Sequence, residues 1–146
     1  MLSRRTLVLS ALAAPLAPSL PTPARAATDA PIKLRDLYNR DRGFSDLALS
    51  LEGQRIEVEG FMAPPLKAEA DFFVLTKMPM AQCPFCEPET EWPDDILAVY
   101  TRRTVEVIPF NVRLTATGVL QLGPYTDPAT GFWSLVRLGD ARYLRA

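Results

Sequence analysis

Asn111-Val112-Arg113-Leu114-Thr115-Ala116-Thr117-Gly118-Val119-Leu120-Gln121-Leu122 is the stretch that decides the fold. Val112, Leu114, Ala116, Gly118, Leu120 and Leu122 alternate with Arg113, Thr115, Thr117, Val119 and Gln121. That is the period-two pattern of a long strand with one face on a core. Gly118 sits on the apolar face near the middle, where a glycine marks a bend or bulge as a strand curls around a barrel. Upstream, Ile56, Val58, Gly60 and Met62 alternate with Arg55, Glu57 and Glu59, so Arg55–Met62 reads as a second half-buried strand. Asp71–Thr76 and Ile96–Tyr100 are apolar runs of strand length, and Val105, Val107 and Ile108 suggest another. Downstream, Gly123-Pro124, Asp127-Pro128 and Thr130-Gly131 form a turn-rich connection to a strand at Phe132–Leu138 and a short closing strand at Ala141–Leu144.

Before these strands the period is helical. Pro31 to Tyr38 opens a helix with Leu34, Leu37 and Tyr38 at helical spacing. Ser45-Asp46 caps a second short turn carrying Leu47 and Leu51, with Gly53 as its stop. Five to seven strands with no long helix between them predict a mainly β fold: a small antiparallel OB-like barrel with a short N-terminal helical segment. The expected organisation is a lead at 27–44 and one barrel domain at 45–146.

Residues 1–26 read as a cleavable export signal. Met1-Leu2-Ser3-Arg4-Arg5 is a basic head, Thr6 to Leu20 is largely apolar, and Ala24-Arg25-Ala26 has the small-x-small cleavage pattern. Pro15 and Pro18 break a run already too short for the ~20 residues of a membrane-spanning helix. Ser3-Arg4-Arg5-Thr6-Leu7-Val8-Leu9 resembles the twin-arginine consensus, with an ordinary secretory signal as the alternative. No cysteine stands directly after the cleavage site, so the expectation is a soluble periplasmic protein without a lipid anchor. The remaining chain carries thirteen Lys+Arg against seventeen Asp+Glu. This acidic balance, with Arg102-Arg103 read as a solvated turn, argues against nucleic acid as a partner.

Histidine is absent from all 146 residues. No Ser-His-Asp or Cys-His pair can form within the chain, and no histidine-ligated zinc or haem. The chemistry left concentrates between Lys77 and Asp95. That segment holds both cysteines, Met78 and Met80, four prolines, and five carboxylates after Cys86. A loop of such composition on a small scaffold is where function is placed.

Three readings of it stay open. Cys83-Pro84-Phe85-Cys86 has the spacing of a thiol–disulfide exchange pair, Cys83 attacking and Cys86 resolving. Pro88 and Pro93 would break the helix such pairs use, and Glu87, Glu89, Glu91, Asp94 and Asp95 disfavour a thiolate. Alternatively, Met78, Met80, Cys83 and Cys86 supply a soft sulfur set suited to copper as Cu(I). Zinc would need two further ligands, which only Asp or Glu could supply. In the third reading Cys83 and Cys86 form a structural disulfide, Met78 and Met80 pack the loop, and Phe85 and Trp92 anchor it in the core.

Ser45-Asp46-Leu47-Ala48, Leu51-x-Gly53-x-Arg55-Ile56-x-Val58-x-Gly60-Phe61-Met62-x-Pro64, and Phe72-Phe73-Val74-Leu75 running into a cysteine-proline loop resemble a bacterial domain-of-unknown-function family. The resemblance spans roughly residues 45–122 and implies a small exported OB-like protein, often encoded beside ABC-transporter components and sometimes in metal-responsive settings. Typical members place a histidine two positions after the cysteine, followed by a proline run. Here Cys83 is followed instead by Cys86 and Pro88. The resemblance implies no established enzymatic activity. The expected function is therefore a non-catalytic periplasmic accessory or binding protein. It would present the Cys-x-x-Cys loop to a membrane transporter subunit, another periplasmic protein, a metal ion or a small ligand. A thiol-disulfide oxidoreductase using Cys83 and Cys86 is the alternative.

Overall fold

The computed structural model describes residues 30–65, 67–81 and 92–146. The export signal expected at 1–26 lies outside them. Among the described residues six strands form one mixed sheet: β1 (Ile32–Lys33), β2 (Arg55–Met62), β3 (Phe72–Thr76), β4 (Ile96–Thr101), β5 (Arg113–Thr126) and β6 (Trp133–Arg145). Their order is β1-β2-β3-β4-β6-β5, and β2 also pairs with β5, so β2 to β6 close into a ring. The fold is mainly β, as expected. The pairing is not wholly antiparallel: β4 runs parallel to β6, with Ala98 opposite Arg137, and β1 runs parallel to β2. The parallel β4–β6 pair follows from the path of the chain. Residues 102–112 carry it across to β5, and the hairpin after β5 returns β6 in the direction of β4.

β2 occupies the residues its alternation predicts, with Ile56, Val58 and Met62 buried. β3 and β4 are apolar on both faces because both faces are covered. Phe73, Leu75, Leu97 and Val99 point into the main core, while Phe72, Val74, Ile96 and Ala98 form a second cluster with Ala63, Ala70 and Phe132. Ser45 caps the one α-helix among the described residues, α1 (Asp46–Leu51), by accepting the Ala48 N–H at 3.1 Å. The Ser45 hydroxyl also donates to the Asp36 carbonyl at 2.6 Å, tying α1 to the preceding turn.

The Pro31–Tyr38 helix does not form. Ile32 and Lys33 pair with β2, and Leu34–Leu37 makes a single 3-10 turn. Three-residue spacing puts Leu34 and Leu37 on one side of such a turn. Both are buried in the main core, where each large aliphatic side chain contributes roughly 1.5–3 kcal/mol. Val105, Val107 and Ile108 are not a strand either. Val105 N–H bonds to the Ala70 carbonyl and Ile108 N–H to the Met62 sulfur, so this irregular segment inserts Val105 and Ile108 into the core while Val107 stays exposed.

The long strand extends beyond Leu122. Gly123-Pro124 is a bulge within β5, not a turn, and Gly123 has a φ of 103°, a conformation open to glycine. The reversal comes later, at Asp127–Phe132. There the Asp127 carboxylate accepts the N–H groups of Ala129 and Thr130. The two strands expected at Phe132–Leu138 and Ala141–Leu144 are one, β6, bulged at Asp140, whose φ is 50°. Gly118 stands opposite that bulge. A Cβ on it would come within 2.9 Å of the Ala141 Cβ and 3.0 Å of the Gly139 carbonyl oxygen, so glycine lets β5 and β6 close where the ring bends.

Candidate functional site

Cys83 and Cys86 lie outside the described residues, as do Phe85, Glu87, Glu89 and Glu91. The two ends of their segment are described, and both are fastened to the sheet. At the β3 end, the Thr76 hydroxyl is fully buried and donates to the Met78 carbonyl at 2.7 Å. Lys77 N–H bonds to the Asp95 carbonyl at 3.0 Å, bringing the segment's two ends together. Beyond this clasp Met78 is 61% exposed and Met80 half-buried, so the two thioethers differ in access to solvent.

At the β4 end, half-buried Trp92 packs against both apolar clusters. Its indole N–H donates to the Tyr38 hydroxyl at 3.0 Å, and that hydroxyl donates to the Ile96 carbonyl at 2.6 Å. Burial holds the Tyr38 phenol protonated well above its ordinary range. The Trp92 hydrogen bond opposes this, while the charges of Asp95 and Asp94 add to it. The expectation that Trp92 anchors the segment is met. Its acceptor, Tyr38, carries no local signal in the sequence, being 54 residues away.

Trp92 also begins an aromatic face on the outer side of β3 and β4. It meets Trp133 edge-on at 5.9 Å and Phe132 at 6.3 Å. Phe72 contacts Phe132 and stacks on Tyr100 at 5.1 Å, and Arg137 lies 4.7 Å over the Tyr125 ring. Trp133 and Tyr125 remain about two-fifths exposed. The Tyr100 hydroxyl is buried with no hydrogen-bond partner among the described residues. Burial first, and then the nearby Asp127 carboxylate, push its pKa well above the ordinary value. Sequence reasoning missed this face because its rings come from β3, β4, β5 and β6, and only the sheet order makes them neighbours. No group of three or more metal-ligating His, Cys, Asp or Glu side chains occurs among the described residues. Among them, no helix is long and apolar enough to cross a membrane.

No family model and no curated protein matches the chain. Among solved structures it is similar to a DUF3299 family protein from Pseudomonas aeruginosa, with a TM-score of 0.50 and 14% sequence identity. The match covers 80% of this chain and 97% of that one. At this identity the likeness is one of fold.

Proposed function

We propose that this chain is an exported, non-catalytic binding protein whose OB-like barrel presents the segment between Met78 and Asp95 to a metal ion or a protein partner. The ring order β2-β3-β4-β6-β5, with its parallel β4–β6 pair, supports the OB-like reading. The likeness in fold to a protein of a family of unknown function accords with the resemblance drawn from residues 45–122. The observation that carries the binding reading is the mounting of the segment. The Lys77–Asp95 clasp and the Trp92–Tyr38–Ile96 relay hold both ends on a rigid sheet, as a presented site requires.

Within that segment Cys83 and Cys86 are the ligands proposed for Cu(I), with Met78 and Met80 as supporting thioethers. Export of the chain by the twin-arginine route and a transporter subunit as partner belong to the same proposal. The test uses reduced protein spanning residues 27–146 and a chromophoric Cu(I) chelator as competitor. One equivalent of Cu(I) is expected to be retained, and Cys83→Ser with Cys86→Ser to abolish retention. A parallel insulin-reduction assay is expected to show no turnover. Catalytic reduction of insulin would replace this reading with the thiol-disulfide oxidoreductase one, and absence of both activities would remove the metal and leave a protein partner.

A further inference from the structure

The Asp140 bulge organises a basic groove lined from β2, β6 and the segment that follows β4. Two steps of β5, from Thr117 to Val119, span three steps of β6, from Arg142 to Gly139. The extra residue puts Asp140 in the left-handed region and turns its side chain outward. Its carboxylate takes Arg55 from β2 at 2.6 Å and Arg102 from the end of β4, while Arg55 also donates to the Asp140 carbonyl at 3.1 Å. Arg102 is thus not merely part of a solvated turn. Two guanidiniums, one from β2 and one just past β4, are held over one acid.

Arg103 and Arg142 flank the same groove, and their guanidiniums have no ion pair or hydrogen bond among the described residues. Tyr143 fixes the wall formed by the segment after β4. Its hydroxyl accepts the Glu106 N–H at 2.7 Å and donates to the Glu106 carbonyl at 2.9 Å. The groove encloses about 800 Å³. Among the described residues four guanidiniums line the groove against two carboxylates, Asp140 and Glu106, with Glu57 beside Arg142 in the adjoining hollow, in a chain whose formal net charge is −1.

We propose that this groove binds a compact polyanion bearing phosphoryl or carboxylate groups, with Arg103 and Arg142 as its principal ligands. Guanidinium suits this role because its planar fork pairs with two oxygens at once. Asp140 fixes Arg55 and Arg102 along the groove, so two of the four positive charges are already positioned when an anion arrives. The volume takes a small organic anion with room for water. The anion ligands proposed for this groove include none of the residues proposed as metal ligands, and either proposal can fail without the other.

The test is calorimetric titration of the whole exported chain with inorganic pyrophosphate and, separately, with citrate. Saturable one-to-one binding of at least one probe is expected, weakening as salt rises. Arg103→Ser with Arg142→Ser is expected to weaken it about tenfold or more. Arg40→Ser with Lys67→Ser removes the same charge elsewhere and is expected to leave it unchanged. Circular dichroism spectra of both double variants should match that of the parent, since none of the four side chains is buried. Binding of pyrophosphate alone assigns a phosphoryl ligand, and binding of citrate alone a carboxylate one. Failure of both probes, or equal weakening by the two double variants, overturns the proposal.

Discussion

The Trp92 indole N–H and the Tyr38 hydroxyl are joined at 3.0 Å across 54 residues of sequence. Tyr38 passes the connection on to the Ile96 carbonyl at the start of β4. A residue of the N-terminal lead therefore supports the far end of the segment that carries both cysteines. The lead is part of the site's foundation.

Tyr38→Phe keeps the ring and deletes the oxygen. The Ile96 carbonyl loses its donor and Trp92 its acceptor, at a cost of about 1–3 kcal/mol for the groups left unpaired. In urea the unfolding midpoint should fall while the slope stays constant. A midpoint equal to that of the parent would show that water replaces the hydroxyl without loss.

Gly118→Val places side-chain atoms where Ala141, Leu138 and the Gly139 carbonyl already lie within about 3 Å of a bare Cβ. Overpacking of this kind costs about 1–3 kcal/mol. The loss should appear as a lower thermal midpoint. Amide exchange should accelerate first in β5 and β6, whose separation would have to increase.

The hydrogen bond from Arg55, together with the pairing to Arg102, holds the Asp140 carboxyl below the usual carboxylate range. A carboxyl depressed in the folded chain adds stability above its unfolded value of about 3.9, and loses it as pH falls through the folded value. Asp140→Asn should therefore be less stable than the parent at pH 7, and the two should converge in acid. The difference should also shrink in high salt, because all three side chains are solvent-accessible. A gap that persists at pH 2 would point to the bulge geometry rather than to the charge.

Tyr38 and Tyr100 are both held protonated, chiefly by burial. Their contribution to stability is complete below an unfolded phenol value of about 10 and declines above it, as only the unfolded chain ionises. Of the four tyrosines, these two should stay silent in an ultraviolet titration until the chain unfolds in alkali. Stepwise ionisation of all four near pH 10, with the fold intact, would contradict the buried placement.

Strand identity was legible where alternation was uninterrupted. Ile56, Val58, Gly60 and Met62 marked β2 to the residue, and Ser45 with Gly53 framed α1. Strand direction was not legible, because alternation reports which face is buried and says nothing about the neighbour; the parallel β4–β6 pair was therefore missed. Asp140 looked like a break between two strands because a left-handed aspartate interrupts the pattern as a turn would. The same ambiguity made Gly123-Pro124 read as a turn. Cys83-x-x-Cys86 stood out as a motif, whereas its supports, Tyr38 and Thr76, are ordinary residues made relevant by long-range contacts.

β6 has a consequence for how the chain reaches its folded form. It lies between β4 and β5, bonded to both, so neither of those strands has its second neighbour until residues 133–145 arrive. A partly folded chain lacking them leaves two unpaired backbone edges, which invite association with other chains. The β5 edge is covered through a hairpin, but the β4 edge waits for contacts between residues far apart in sequence, such as Ala98 with Arg137, the kind that form slowly. Refolding yield should accordingly fall as protein concentration rises, and a fragment ending before Trp133 should self-associate.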